Sequence, residues 1–349
     1  MTSNSVAQVF PAEWAPQSAV MLTWPHMSSD WAAILPRVEP VYVAIAREVT
    51  RREKLVIACF DEALREHVRS LLARAGVDLG QVRLFVVPSN DTWARDHGPL
   101  TVLRDGKPRI LDFHFNGWGN KFDHDLDDQI TPRLHAAGAF GATELESVEM
   151  ILEGGGIESD GIGTLMTTAH CQLSPERNPQ WNKEEITERL RAFFGTPRVL
   201  WLEHGQLAGD DTDGHIDTLA RFCDPETIAY VTCTDPADEH YQPLLAMEAE
   251  LRAFRAPSGR PYKLVPLPLP LPHYGEDGRR LPATHANFLI INDAVLVPTY
   301  NDAVDALVLE RLRPCFPDRE VIGIDCSPLI RQYGSLHCIT MQIPAGVVA

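Results

Sequence analysis

The chain has 349 residues, 44% hydrophobic and 23% charged. A chain of that length and composition can bury a core without disulfides or metals, which excludes disorder as its general state. With 31 basic and 48 acidic residues the formal charge is −17, which argues against nucleic acid and anionic membrane as partners and favours cations. No apolar run approaches the ~18 residues of a membrane span. Residues 1–10 lack the basic and apolar regions of a signal peptide. The seven cysteines are an odd number without C-x-x-C, and read as mostly structural thiols in a reducing, cytoplasmic setting.

In chain order, residues 19–24 predict a strand. Val38, Tyr42, Ile45 and Val49 stand at helical spacing and predict a helix over 38–52. A buried strand over 55–60, a helix over 62–75 and a strand over 83–87 follow. Then come four hairpins, turning at Asp105-Gly106, Asp160-Gly161, Asp224-Pro225-Glu226 and Asn292-Asp293. The turn centres lie about 55, 65 and 67 residues apart, a repeat signal. Each hairpin is followed by a predicted helix (125–134, 183–193, 241–253, 302–312) and a strand. A fifth unit would pair 336–343 with 19–24. The class is α/β, and the spacing alone allows either a pseudo-symmetric ring of such blocks or an ordinary open sheet. The proline-rich run 264–272 reads as an edge strand, because proline cannot donate to a ladder. It leads into a loop through Gly275 and Gly278.

Four clusters can carry chemistry. Trp93-Ala94-Arg95-Asp96-His97-Gly98-Pro99 follows a strand, where α/β sites commonly lie. Glu153 precedes three glycines that let the backbone approach a partner closely, in a pattern that is neither a dinucleotide fingerprint nor a P-loop. Asp210, Asp211 and Asp213 run into Gly214-His215-Ile216-Asp217. If Ile216 begins a strand, His215 and Asp217 share one face. Such crowding of acids needs a bound cation or a shared proton. A hard metal ion is one reading, but no EF-hand spacing supports it. Cys338, near the C-terminus, is a candidate nucleophile. In a strand its neighbour His337 would point to the opposite face, leaving His215 the better base. A thiol, a histidine and several carboxylates suit attack on a guanidinium carbon. Two carboxylates can each take a pair of its N–H donors, while the histidine handles protons.

The ordered motifs resemble the agmatine deiminase family, related to bacterial peptidyl-arginine deiminases in the guanidino-group-modifying superfamily. They are Pro11-Ala12-Glu13-Trp14, Thr23-Trp24-Pro25-His26, Trp93-Ala94-Arg95-Asp96 and Phe115-Asn116-Gly117-Trp118-Gly119. Leu152-Glu153-Gly154-Gly155, Gly214-His215-Ile216-Asp217, Ala286-Asn287-Phe288 and Leu336-His337-Cys338 complete the set. The resemblance covers essentially the whole chain. It implies a single catalytic domain over 1–349 with the pentein fold, a five-bladed α/β propeller. It implies Cys338 as nucleophile, His215 as general acid/base, Asp96 and Asp217 as the guanidinium clamp, and Glu153 as the partner orienting His215. Asn287 would lie near the site in a supporting role, among the substrate-binding residues. The resemblance implies no metal or organic cofactor, a place in putrescine biosynthesis, and a possible homo-oligomer. Two departures stand out: Gly156 where members often carry Ser or Asp, and Asp213 where many carry Asn.

Agmatine presents a guanidinium and an ammonium. Asp210, Asp211 and Asp213, with the faces of Trp93 and Trp118, would suit the ammonium. A substrate carboxylate would need a cation, and residues 113–121 offer only Lys121. The expected reaction is therefore hydrolysis of agmatine to N-carbamoylputrescine and ammonia. A peptidyl-arginine substrate, amidino transfer to an amine, and a non-catalytic guanidine-binding module are the alternatives.

Overall fold

The computed structural model describes residues 8–348. The reading of the extreme N-terminus therefore lies largely outside the described residues. Among them, five small sheets form, and four share one pattern: an antiparallel pair followed, beyond a helix, by a parallel third strand. In the first sheet Leu100–Arg104 turns into Lys107–His114, which pairs with Glu144–Ile151, while Gln8–Val9 adds an edge. The second joins Ile157–Ser159, Thr164–Thr168 and Arg198–Leu202. The third joins Ala220–Asp224, Thr227–Thr232 and Lys263–Pro268. The fourth joins Leu289–Ile291, Ala294–Thr299 and Glu320–Asp325. The fifth pairs the two ends of the chain: Thr340–Pro344 runs antiparallel to Gln17–Thr23, which continues to Lys54–Cys59 and Val82–Val86.

The four expected hairpins are present, and so are the helices between them. Tyr241–Ala253 matches its predicted bounds, and Lys183–Phe194 is one residue longer. That helix begins on a capping box between Asn182 and Glu185 and ends on Gly195 at φ +62°. The proline-rich strand spans Lys263–Pro268 and lies at a sheet edge, as its prolines require. The helix expected from 125 begins instead as a short 3-10 turn, Asp127–Gln129, before Ile130–Ala136. The Asp127 carboxylate takes the backbone N–H groups of Asn90 and Asp91, so this segment is tied to the loop before Trp93.

Alternation explains why the strands read as nearly continuous apolar runs. Val20 and Leu22 pack with Val38, Tyr42 and Ile45 of the helix Leu35–Thr50. Ala19 and Met21, on the other face, pack with Leu100, Ile110 and Leu165. Likewise Leu296 and Val297 belong to different core clusters. A strand buried on both faces needs apolar residues at every position.

At the centre lies Arg221, fully buried. Its Nε donates to Glu158 at 2.8 Å, one Nη to Glu13 at 2.9 Å and the other to the Phe288 carbonyl at 2.6 Å. These contacts tie the N-terminal segment to the second, third and fourth sheets. Replacing Arg221 with Met takes the cation from buried Glu158 and leaves Glu13 only Arg95, at 3.6 Å, and His337. Urea unfolding should show a loss of about 3–5 kcal/mol; an unchanged midpoint would remove Arg221 from any structural role.

Candidate active site

The same position in each sheet supplies the site. The segment entering the first strand of each antiparallel pair carries Asp96, Glu153, His215 with Asp217, Asn287, and Cys338 in turn. Two local expectations are corrected here. Ile216–Thr218 is a 3-10 turn and not the start of a strand, which begins at Ala220. The strand near the C-terminus starts at Thr340, so Cys338 lies in the turn before it. Turns, unlike strands, do not alternate side chains between two faces, so the period-two argument for His215 and Asp217 does not hold.

These segments are joined by hydrogen bonds. The Gly155 N–H donates to Asp96 Oδ1 at 3.1 Å, and the Arg95 N–H to the Cys338 carbonyl at 3.1 Å. The His337 N–H donates to the Asn287 side-chain oxygen at 2.9 Å, and Asn287 Nδ2 to the Asp217 carbonyl at 3.4 Å. Asn287 thus holds the Cys338 turn from behind, its Oδ1 lying 3.4 Å from the sulfur. Like Asp217 and His215, it stands behind the pocket wall that Cys338 and Asp96 form.

Asp96 lies 3.6 Å from His215 Nδ1, and Glu153 lies 4.0 Å from His215 Nε2. The Cys338 sulfur is 3.9 Å from Asp217 Oδ2. The glycines make this closeness possible. A Cβ on Gly155 would stand 2.5 Å from His215 Nδ1 and 2.7 Å from Asp96 Oδ1. One on Gly334 would stand 2.1 Å from the Trp93 ring.

Burial pushes the Asp96 carboxyl up to about 6. Asp217 and Glu153 add to the rise, against His215 and a hydrogen bond from Trp118. Burial alone would lower the His215 pKa, but Asp96, the Cys171 thiol and Glu153 outweigh it and hold the ring well above its usual value. Burial pushes the Cys338 thiol far up, and the Asp217 and Asp96 charges push it further. For Asp217 burial acts upward, yet His337 holds the carboxyl below its usual range.

The pocket beside Cys338 and Asp96 is walled by Trp93, Trp118, Phe122 and Tyr333. Asp30, Asp91, Asp210 and Asp211 complete its acidic lining, and among the described residues that line it none is Lys, Arg or His. Trp93 and Trp118 meet edge to face at 6.3 Å. Trp118 adopts φ +56°, a left-handed conformation costing about 1–2 kcal/mol for a residue with a Cβ. Its indole N–H donates to Asp96 at 3.0 Å. Burial raises Asp211 to about 7, with Asp210 adding to the rise. Asp210 itself caps its loop, accepting the N–H groups of Thr212 and Gly214. Asp213 does not face the pocket. It bonds Lys121 and Arg177 at 2.7 Å each, so the residue expected to meet substrate instead anchors two cations.

Several residues escaped the sequence reading. Arg177 donates to both oxygens of Glu153, at 2.8 and 3.0 Å. His337 lies 2.7 Å from Asp217 through Nδ1 and 2.7 Å from Glu13 through Nε2. Two carboxylates at that distance ask for N–H donors on both nitrogens, while burial, Arg221 and Arg95 oppose the second proton. Glu13 belonged to a quoted motif, but its role needed a contact across 324 residues of chain. Arg279, whose guanidinium bonds the Tyr333 hydroxyl and lies 4.9 Å over its ring, brings a cation to the pocket's edge.

A family model described as Porphyromonas-type peptidyl-arginine deiminase matches residues 9–344. The chain belongs to that family. It is 32% identical to an agmatine deiminase of Stutzerimonas stutzeri, across 97% of this chain and 96% of that one. A substrate-bound Cys-to-Ser variant of C. jejuni agmatine deiminase is 38% identical and superposes with a TM-score of 0.91, covering 99% of each chain. A Porphyromonas gingivalis protein provisionally named an arginine deiminase is 53% identical, with a TM-score of 0.92 over 98% of this chain and all of that one. The fold is accordingly the α/β fold of these deiminases.

The electrostatics make one chemical prediction for the free protein. Iodoacetamide should alkylate Cys338 slowly at pH 7, and Asp217→Asn should speed the reaction by removing a charge that opposes the thiolate. Peptide mapping of Cys338 checks this; equal rates would show that Asp217 does not govern the thiol.

Proposed function

We propose that the chain is an agmatine iminohydrolase, converting agmatine to N-carbamoylputrescine and ammonia in putrescine biosynthesis. The observation that carries this reading is the pocket at Cys338: acidic and aromatic, with no cationic side chain among the described residues that line it. A dication gains there from charge and from the π-faces of Trp93 and Trp118. Free arginine would bring a carboxylate next to those acids.

In this reading Asp96 and Asp217 clamp the guanidinium. Its positive charge offsets the carboxylates that oppose ionisation of Cys338, so the substrate helps to make its own nucleophile. The Cys338 sulfur then bonds to the guanidinium carbon. His215 carries the proton that leaves with ammonia. Glu153, locked by Arg177, keeps the ring oriented. Water, activated by His215, adds to the thiouronium carbon, and the C–S bond breaks to return the thiol.

We further read residues 1–349 as one domain and the five sheets as blades of a pseudo-symmetric propeller. The hydrogen bonds between the entering segments and the pairing of the two chain ends support this. No described helix is long and apolar enough to cross a membrane, and we place the protein in the cytoplasm. We expect no nucleic-acid partner at a charge of −17 and allow a homo-oligomer. A second reading, deimination of arginine, draws on Arg279 at the pocket edge, where a substrate carboxylate could pair with it.

Ammonia release should be measured from agmatine, free arginine and a peptide ending in arginine. Turnover of agmatine alone is expected. If arginine is preferred and Arg279→Ala abolishes the preference, the second reading replaces the first. Cys338→Ser should release no ammonia while still binding agmatine by calorimetry.

The raised Asp96 pKa also has a consequence. Its ionised form is lost as pH falls through about 6. Below that, kcat/KM for agmatine should fall about tenfold per pH unit, while kcat falls less because bound guanidinium keeps Asp96 ionised. Parallel loss of kcat and kcat/KM would remove Asp96 from substrate binding.

A further inference from the structure

Beside His215 lies a second thiol, that of Cys171. Cys171 follows Thr168, whose hydroxyl accepts the Cys171 N–H at 3.4 Å and caps the turn Ala169–Gln172. One ligand atom each of Glu153, Cys171 and His215 lies within 4.8 Å of the others. All three residues are buried, and among the described residues neither ring nitrogen of His215 has a hydrogen-bond partner of regular geometry. Gly156 makes room for the arrangement: a Cβ there would stand 2.9 Å from Gln172 Nε2, 3.3 Å from the Cys171 sulfur and 3.8 Å from His215 Cδ2.

We propose that Glu153, Cys171 and His215 form a binding site for a thiophilic divalent cation of the Zn²⁺ class, and that its occupation switches the enzyme off. Thiolate, imidazole and carboxylate are the zinc donor set. Bond lengths of about 2.0–2.3 Å place tetrahedral donors roughly 3.3–3.8 Å apart. The 4.0 Å between His215 and Glu153 is already near that range. Ligation by a thiolate and a neutral imidazole releases any protons those groups hold, which offsets the entering charge. Arg177 stays held by Asp213 and by the Thr212 carbonyl while Glu153 turns one oxygen to the metal. A metal on Nε2 fixes the ring and removes its capacity to move protons. Only this inhibitory consequence rests on the function proposed above; the binding itself does not.

Co²⁺ is the probe. Titrating the full protein should give thiolate-to-cobalt absorption in the near ultraviolet that saturates at one equivalent and is bleached by Zn²⁺. Cys338→Ser should keep the band and Cys171→Ser should lose it. A band that survives Cys171→Ser but disappears in Cys338→Ser overturns the assignment, as does the absence of a band in the unaltered protein. Should Cys171→Ser fail to fold, X-ray absorption on the Zn²⁺-loaded Cys338→Ser protein decides. A sulfur neighbour at about 2.3 Å is expected, and a purely nitrogen and oxygen shell refutes the site. None of these readings needs turnover. Where turnover is measured, Cys171→Ser should raise the half-inhibiting Zn²⁺ concentration about tenfold or more.

Discussion

The architecture depends on keeping buried carboxylates matched to buried cations. Glu13, Asp96, Glu153, Glu158 and Asp217 are all withdrawn from solvent, and so are Arg95, Arg177, Arg221 and His215. Unpaired, each such charge would cost several kcal/mol. Arg177 answers Glu153 and Arg221 answers Glu13 and Glu158, while the ring nitrogens of His337, whose charged form burial opposes, meet Asp217 and Glu13. Asp96 is the least well matched, with His215 no nearer than 3.6 Å and a carboxyl raised to about 6. In the proposed reaction a planar cation between Asp96 and Asp217 supplies the missing charge, so that substrate binding and charge compensation are the same event.

That arrangement also separates two duties that a list of acids would merge. Asp217 is held ionised by His337 and faces Cys338, whereas Glu153 is held by Arg177 and lies beside His215, from where its charge also bears on Asp96. Asp213 goes further in the same direction. As a neighbour of the His215 motif it looks like a pocket acid, yet both its oxygens are taken by Lys121 and Arg177. A carboxylate's position in the sequence says little about which cation has already claimed it.

The repeat and the elements were legible because they rest on local physics. Turn residues at Asp105-Gly106 and Asn292-Asp293 mark hairpins by their tolerance of positive φ, and Asp105 and Asp293 do sit at φ +50° and +61°. Helical spacing marked Tyr241–Ala253 to the residue. The errors fell where backbone is irregular. The segments carrying His215 and Cys338 are turns held by long-range hydrogen bonds, and periodicity has no hold on them.

The sequence alone determined the α/β class, the hairpin–helix–strand repeat, and the identity of the ordered motifs from Glu13 to Cys338. These follow from propensity, alternation and turn chemistry within a few residues of each other. Tertiary structure alone decided that the five entering segments meet. It also decided that Asp213 faces Arg177 while Asp211 lines the pocket, that His337 braces Asp217, and that Cys171 lies against His215. Each is a contact between residues distant in the chain, set by how the sheets pack and by which buried charge finds a partner first.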